Sequence, residues 1–270
     1  MKHPTAVIHP DAILAADVEV GPFAVIEGAA RIGAGCVIQA HAIIGAHVVM
    51  GECNTIGYGA IIGGEPQDFA FQPSVKSEVR IGDGNKIREY ATIHRGTAEG
   101  SATVVGSGCF LMAGAHVAHN CHVGDHVVIA NNALLAGHVA VGERAFIGGG
   151  CVFHQFVRIG RLAICQGGAA FSKDLPPFTT GTGLNSVAGL NSVGLRRAGF
   201  TGGQRAEIKA AFSLLYRRGL NTAQALAAAR ERPWGEAAQA FWDFAAGAKK
   251  RGLCDFTAAR RGAPAEPDEP

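Results

Sequence analysis

Residues 105–129 read VGSGCFLMAGAHVAHNCHVGDHVVI, with large apolar side chains at Val105, Leu111, Val117, Val123 and Ile129, every sixth position. A helix repeats near every 3.6 residues and a half-buried strand every second, so neither gives this interval. The beat extends in both directions. Leu135, Val141, Ile147, Phe153 and Ile159 follow in phase, and Ile81, Ile87 and Ile93 precede. Further back, Ile8, Leu14, Val20, Ile26, Ile32, Ile38, Ile44, Met50, Ile56 and Ile62 keep the same interval in a shifted phase. So regular a period belongs to a solenoid, whose short units bury apolar residues only against their neighbours.

The beat residue is usually followed by Gly, as in Ile32-Gly33, Ile56-Gly57 and Ile147-Gly148, and four places after it comes a small residue such as Cys36, Cys109, Cys121 or Cys151. A short strand, a sharp turn and a repeat account for this, with the large and the small residue both pointing inward. The glycines are expected to supply turn conformations that a Cβ makes costly. Three such sides close a triangular coil of eighteen residues, and stacked coils would lie about 4.8 Å apart. The beat breaks twice, predicting excursions at 63–80 and 94–104. Loops projecting from a rigid scaffold are favoured places for function. The first carries Gln67 and Asp68 beside Phe69 and Phe71, both read as exposed.

The repeats are expected to fill residues 1–185, where Gly and Val then give way to Ala, Arg, Glu, Gln and Leu. A small helical domain is expected over 186–257. Thr201 and Gln204 read as a capping box opening one helix, Asn221 caps a second, and a third spans about 236–250 with Phe241, Trp242 and Phe244. The tail 258–270 has too little apolar content to fold and is expected to be disordered. A net charge of +2 does not indicate a nucleic-acid partner. Arg196, Arg197, Arg205, Lys209, Arg217 and Arg218 nevertheless gather near the start of the helical part. They read either as a solvated face or as a dock for an acidic partner. With no N-terminal apolar region, no membrane-length apolar run and cysteines at inward repeat positions, a cytoplasmic protein with reduced thiols is expected.

His116 and His119 flank Val117 and should face outward, Gly137 lies eighteen residues beyond His119, and His138, His154 and Gln155 follow. His94 is placed two coils earlier than His116. Such an array suits general-base catalysis beside a backbone N–H that stabilises an oxyanion. It equally suits a zinc site of three imidazoles and a water, as in γ-carbonic anhydrases.

The strings AHVAHNC (115–121), IANNALLAGHV (129–139), TIHRGT (92–97), FHQF (153–156), DLPPF (174–178) and GLNSVGLRRAGF (189–200) resemble the UDP-N-acetylglucosamine acyltransferase family. The resemblance implies a left-handed parallel β-helix of the hexapeptide acyltransferases followed by helices, assembled as a homotrimer. It implies transfer of a 3-hydroxyacyl chain from acyl carrier protein to the 3-hydroxyl of UDP-GlcNAc, the first step of lipid A synthesis. No metal or cofactor of the enzyme's own is implied, since the acyl group arrives on the carrier's phosphopantetheine. Position by position, His119 would be the general base, Asn120 its orienting partner and Gly137 the oxyanion donor. His116, His138, His154 and Gln155 would hold sugar nucleotide and acyl group, and Gln67 and Asp68 would reach the substrate across a subunit boundary. Asn191 and Arg197 would meet the phosphopantetheine arm or nucleotide phosphates, and Gly167 falls where the family sets acyl length. The chain departs from the family pattern at Asn120, where many members carry Asp, at Ala70 in place of a lysine, and at Val193 and Ala198. Those departures leave open an amino-sugar acceptor or a non-catalytic, carrier-binding relative.

Overall fold

The computed structural model describes residues 1–248 and 251–257. Two-residue strands that end on a beat residue recur along the chain, for example Phe110–Leu111, His116–Val117 and His122–Val123. Among the described residues they form sheets of nine, eight and eleven strands, within which the coils are joined in parallel. Face I runs from the strand Val7–Ile8 to Ala170–Phe171, face II from Ile13–Leu14 to Arg158–Ile159, and face III starts at Glu19–Val20. The chain visits the faces in turn and climbs one coil each time. His116 pairs with Leu134 and Val128 with Phe146, the eighteen-residue offset that the beat implies. The fold is a left-handed parallel β-helix with C-terminal helices, as expected.

The interior is what the beat prescribes. Ile26, Ile44, Ile62, Ile93, Leu111 and Ile129 are fully enclosed, and the small residues Ala42, Ala60, Ala115 and Ala133 fill the space beside them. Burying each isoleucine contributes about 1.5–3 kcal/mol. Cys36, Cys109, Cys121, Cys151 and Cys165 are buried free thiols. Burial pushes the Cys121 thiol up to about 12, so it packs as a small neutral hydrophobe.

The glycines after the beat serve a different need from the one expected. Positive φ falls three places after the beat, where glycines such as Gly35, Gly59 and Gly108 share it with residues that carry side chains, among them Phe23, His41, Asn120, His126, His138 and Phe156. The beat glycines instead sit where the next coil's backbone passes. A Cβ on Gly57 would stand 2.6 Å from the Arg88 carbonyl carbon and 2.7 Å from the Glu89 nitrogen.

Both excursions are shorter than the breaks in the beat, because strands run into them. Ile61–Gly64 and Glu78–Ile81 bracket the first, Thr92–His94 and Ala102–Val105 the second. They are stitched together by Arg95, which is buried and donates to the carbonyls of Val75 (2.5 Å) and Pro73 (2.9 Å). Its guanidinium also covers the Phe71 ring at 4.8 Å, so Phe71 is half-buried and only Phe69 is fully exposed.

Face III continues into Thr179–Thr182, which turns back as the antiparallel strand Ser186–Leu190. Four helices follow: α1 (Ser192–Arg197), α2 (Gly202–Tyr216), α3 (Thr222–Ala229) and α4 (Glu236–Ala246). The capping boxes Thr201/Gln204 and Asn221/Gln224 open α2 and α3 as read from the sequence. The hairpin, α1 and the returning strand Asp255–Phe256 were not anticipated. α4 stops at Ala246, short of the expected end; Lys250 and the tail 258–270 lie outside the described residues. The helices share a core of Phe178, Leu195, Ile208, Leu215, Phe241 and Trp242. Arg158 fastens them to the prism: it pairs with buried Asp174 at 2.7 Å, donates to the Phe244 carbonyl and stacks over the Phe244 ring.

Gly57→Ala should therefore destabilise the β-helix by about 1–3 kcal/mol, although the substitution favours an ordinary backbone. Denaturant unfolding that gave an unchanged midpoint would contradict the close-approach account.

Candidate active site

The turn after Val117 carries the candidate base. His119 occupies the second place after the beat, Asn120 the left-handed third (φ 59°), and Cys121 points back into the core. One coil on, the same two places hold Gly137 and His138, and the His138 N–H donates to the His119 carbonyl at 3.0 Å. Gly137 leaves room that nothing else would: a Cβ there would collide with the His119 ring. Its N–H makes no hydrogen bond among the described residues. The His119 ring meets His138 edge-on at 5.3 Å, and His138 stacks on Phe156 of the next coil at 4.5 Å. Outward direction does not mean exposure here, because His119 is only 8% accessible.

His94 is closer than expected. The strand Thr92–His94 pairs directly with His116–Val117, so His94 is one coil below His116 and not two. The second excursion adds the residues of a missing beat, which inflates the sequence count. His94 meets His116 edge-on at 4.8 Å, and the Nδ1 of His116 shares a 2.7 Å hydrogen bond with the Thr92 hydroxyl. Burial, with His116 and His119 nearby, pushes the His94 imidazole down to about 4. Burial and His119 also lower His116 and His138. The imidazoles around His119 are thereby held neutral near pH 7 and contribute hydrogen-bonding nitrogens without a cluster of positive charge.

The tautomer of His119 follows from its neighbours. Its Nδ1 lies 3.0 Å from Asn120 Oδ1, and that oxygen also accepts the Thr97 N–H at 3.1 Å and the Thr97 hydroxyl at 2.9 Å. Nδ1 therefore carries the proton, and Nε2 keeps its lone pair on the side of Gly137. Nδ1 of His94 is buried without a partner. No group of three or more His, Cys, Asp or Glu converges at metal-ligand spacing among the described residues.

Family models and relatives agree on what this architecture is. Residues 102–137 match the bacterial transferase hexapeptide model (six repeats), and residues 174–254 match domain 2 of UDP N-acetylglucosamine O-acyltransferase. The acyl-[acyl-carrier-protein]–UDP-N-acetylglucosamine O-acyltransferase of Halorhodospira halophila is 51% identical over 81% of this chain and 85% of its own. The protein of that name from Herminiimonas arsenicoxydans is 49% identical over 84% and 87%. The solved UDP-N-acetylglucosamine acyltransferase of Francisella novicida superposes with a TM-score of 0.90 at 35% identity, over 95% of this chain and 94% of that one. The chain belongs to the UDP-N-acetylglucosamine O-acyltransferase family.

Against that family, the remaining residues fall into separate places. Gln155 continues the His119–Gly137 column, and His154 and Gln155 are exposed. Gln67 and Asp68 stand at the exposed tip of the first excursion, where Asp68 accepts the Ala70 N–H at 2.9 Å. Gly167 lies on the turn after the strand Ile164–Cys165, across face I from His119, so one chain does not bring the two together. Asn191 caps a helix: its oxygen accepts the Gly194 N–H at the start of α1, and its amide donates to the Leu162 carbonyl. Arg197 is exposed in the last turn of α1 with Arg196. Thr97 and Phe156 were missed as site residues, though they end the strings TIHRGT and FHQF. Among the described residues no helix is long and apolar enough to cross a membrane.

A pH dependence of stability follows from His94. Above 6.5 both states are neutral, whereas below it the unfolded chain takes up a proton that the folded site refuses. Stability should fall as pH drops from 6.5 towards about 4, by about 2 kcal/mol at roughly pH 5. Urea titrations of the wild type and His94→Leu should show the slope flattened in the variant.

Proposed function

We propose that this chain transfers a 3-hydroxyacyl group from acyl carrier protein to the 3-hydroxyl of UDP-GlcNAc, the first step of lipid A synthesis, in the cytoplasm. The observation that carries the mechanism is the stacking of His119 beneath Gly137, with Nε2 unprotonated. Nε2 takes the proton from the sugar hydroxyl as its oxygen attacks the thioester carbonyl carbon. The oxyanion accepts the Gly137 N–H. Collapse of the tetrahedral adduct expels the phosphopantetheine thiolate, which recovers the proton from His119. His116, His138, His154 and Gln155 lie along the same column and its flank and would hold the sugar nucleotide and the acyl chain. Asn120 supplies orientation without the charge that would stabilise the imidazolium.

A homotrimer fits the surface. Val7, Ile61, Leu134 and Val152 stand on face I at 62, 36, 44 and 43% exposure, an apolar column of the kind that another copy covers. Gly167 and His119 border that face on opposite sides, so a neighbour could supply the edge that one chain lacks. Gln67 and Asp68 project from the same region at a loop tip, suited to reaching a neighbour's site. For acyl carrier protein, Arg196, Arg197, Lys209, Arg217 and Arg218 are exposed cations of the helical part. A groove of about 670 Å³ lies within it, lined by Lys209, Arg218 and Arg232 around Leu214, Leu220 and Trp234.

His119→Ala should lower kcat about 10²–10⁴-fold in an assay with UDP-GlcNAc and hydroxyacyl carrier protein; full activity would remove the base from the mechanism. Gly167 sets the second test. A side chain there would start 3.2 Å from the Gly149 carbonyl oxygen and fill the open edge. Gly167→Met should shift preference towards shorter acyl chains, measured by competing carriers of different length; an unchanged preference would separate Gly167 from chain selection.

A further inference from the structure

Asn120 poses a problem that a carboxylate would not. An Asp beside His119 offers oxygen at both ends and can only accept, which by itself requires a proton on Nδ1. An Asn side chain has an oxygen at one end and an NH₂ at the other. With oxygen facing His119, Nδ1 is protonated and Nε2 is free to act as a base. Turned by half a rotation, the amide would donate to a bare Nδ1, leave the proton on Nε2 and abolish the base. His119 and Asn120 alone do not discriminate between these arrangements.

Thr97 does. It lies in the second excursion, twenty-three residues before Asn120, and gives two donors to the same oxygen: its N–H at 3.1 Å and its hydroxyl at 2.9 Å. A backbone N–H cannot accept, so it repels the turned amide. The turn that presents Asn120 is itself fixed, because the Asn120 N–H donates to the Thr103 hydroxyl at 2.7 Å and its φ is 59°. Rotation about the side chain is then the freedom that remains, and Thr97 removes it.

We infer that Thr97 is a positioning residue that locks the Asn120 amide, and through it the productive tautomer of His119. The inference rests on the reading of His119 as the base. It makes Thr97 necessary because residue 120 is Asn, so the dependence should disappear when that residue cannot be turned the wrong way.

The experiment is a double-mutant cycle on the full-length enzyme, with kcat, KM and histidine ¹⁵N spectra as readouts. Thr97→Pro, which removes the N–H, should lower kcat about tenfold, the value of one hydrogen bond of this kind. KM for UDP-GlcNAc should change less than about twofold by the same reasoning. The ¹⁵N signals of His119, identified by their loss in His119→Ala, should move from the Nδ1–H tautomer towards a mixture. Thr97→Val and Thr97→Ser, which keep the N–H, should retain the Nδ1–H tautomer. In the Asn120→Asp background, Thr97→Pro should cost much less, and the acid limb of the rate profile should shift to higher pH, since the carboxylate stabilises the imidazolium. Thr97→Pro with wild-type kcat and an unmixed tautomer overturns the inference. An equal loss in the wild-type and Asn120→Asp backgrounds also overturns it, by making Thr97 merely structural. Full activity in His119→Ala would instead sink the base assignment, while the tautomer measurement still reports on Thr97.

Discussion

The ladder of hydrogen bonds between successive coils governs the rest of the molecule. Each coil donates to and accepts from the next at fixed offset, as when the His116 N–H meets the Ala133 carbonyl and the Ala118 N–H meets that of Leu135. Because the offset is constant, a position in one turn is repeated directly above itself. The αL place recurs as Asn120, His138 and Phe156, and the place before it as His119, Gly137 and Gln155. A flexible loop would have to pay the entropy of assembling such a column from scratch. Here side chains are aligned by the scaffold's own repeat, which is how a site demanding sub-ångström placement can stand on two-residue strands.

The ladder alone would leave His119 on an open corner. Its enclosure depends on the two excursions, which interrupt the beat without breaking the stack. Arg95 binds the first loop through the Pro73 and Val75 carbonyls, and the Lys76 N–H reaches Glu99 of the second at 2.9 Å. Two residues past Arg95, Thr97 grips Asn120. The loop bearing Gln67 and Asp68 is thus joined by hydrogen bonds to the segment that holds Asn120.

How far the sequence reveals this depends on the range of the forces involved. The prism was legible because the beat is local: Ile129 or Val117 declares its inward side within six residues. The capping boxes of α2 and α3 were legible for the same reason, each being closed within three residues. What escaped notice depends on contacts between distant segments. The strand Asp255–Phe256 is defined only by pairing with Ser186 and Val187, and Thr97 acquires its role only by facing Asn120. Thr97 was nonetheless within reach. Thr92 pairs with His116, an offset of twenty-four once the missing beat is counted, and that offset carries Thr97 to the side of Asn120.

Face I presents an apolar outer surface along most of its length. Its outward positions run Val7, Val25, Ile43, Ile61, Thr92, His116, Leu134 and Val152, apolar except where Thr92 and His116 lie beside the base. A parallel sheet buried on one side only normally alternates towards polar residues on the other. Here the outer side is apolar over most of its length, and the polar pair sits where the histidines gather. Covering such a face removes apolar surface from water and also dries the surroundings of His116 and His119, which strengthens every hydrogen bond the site makes. The apolar column and the polar pair share one surface, so burial of that column by any neighbour would also exclude water from His116 and His119.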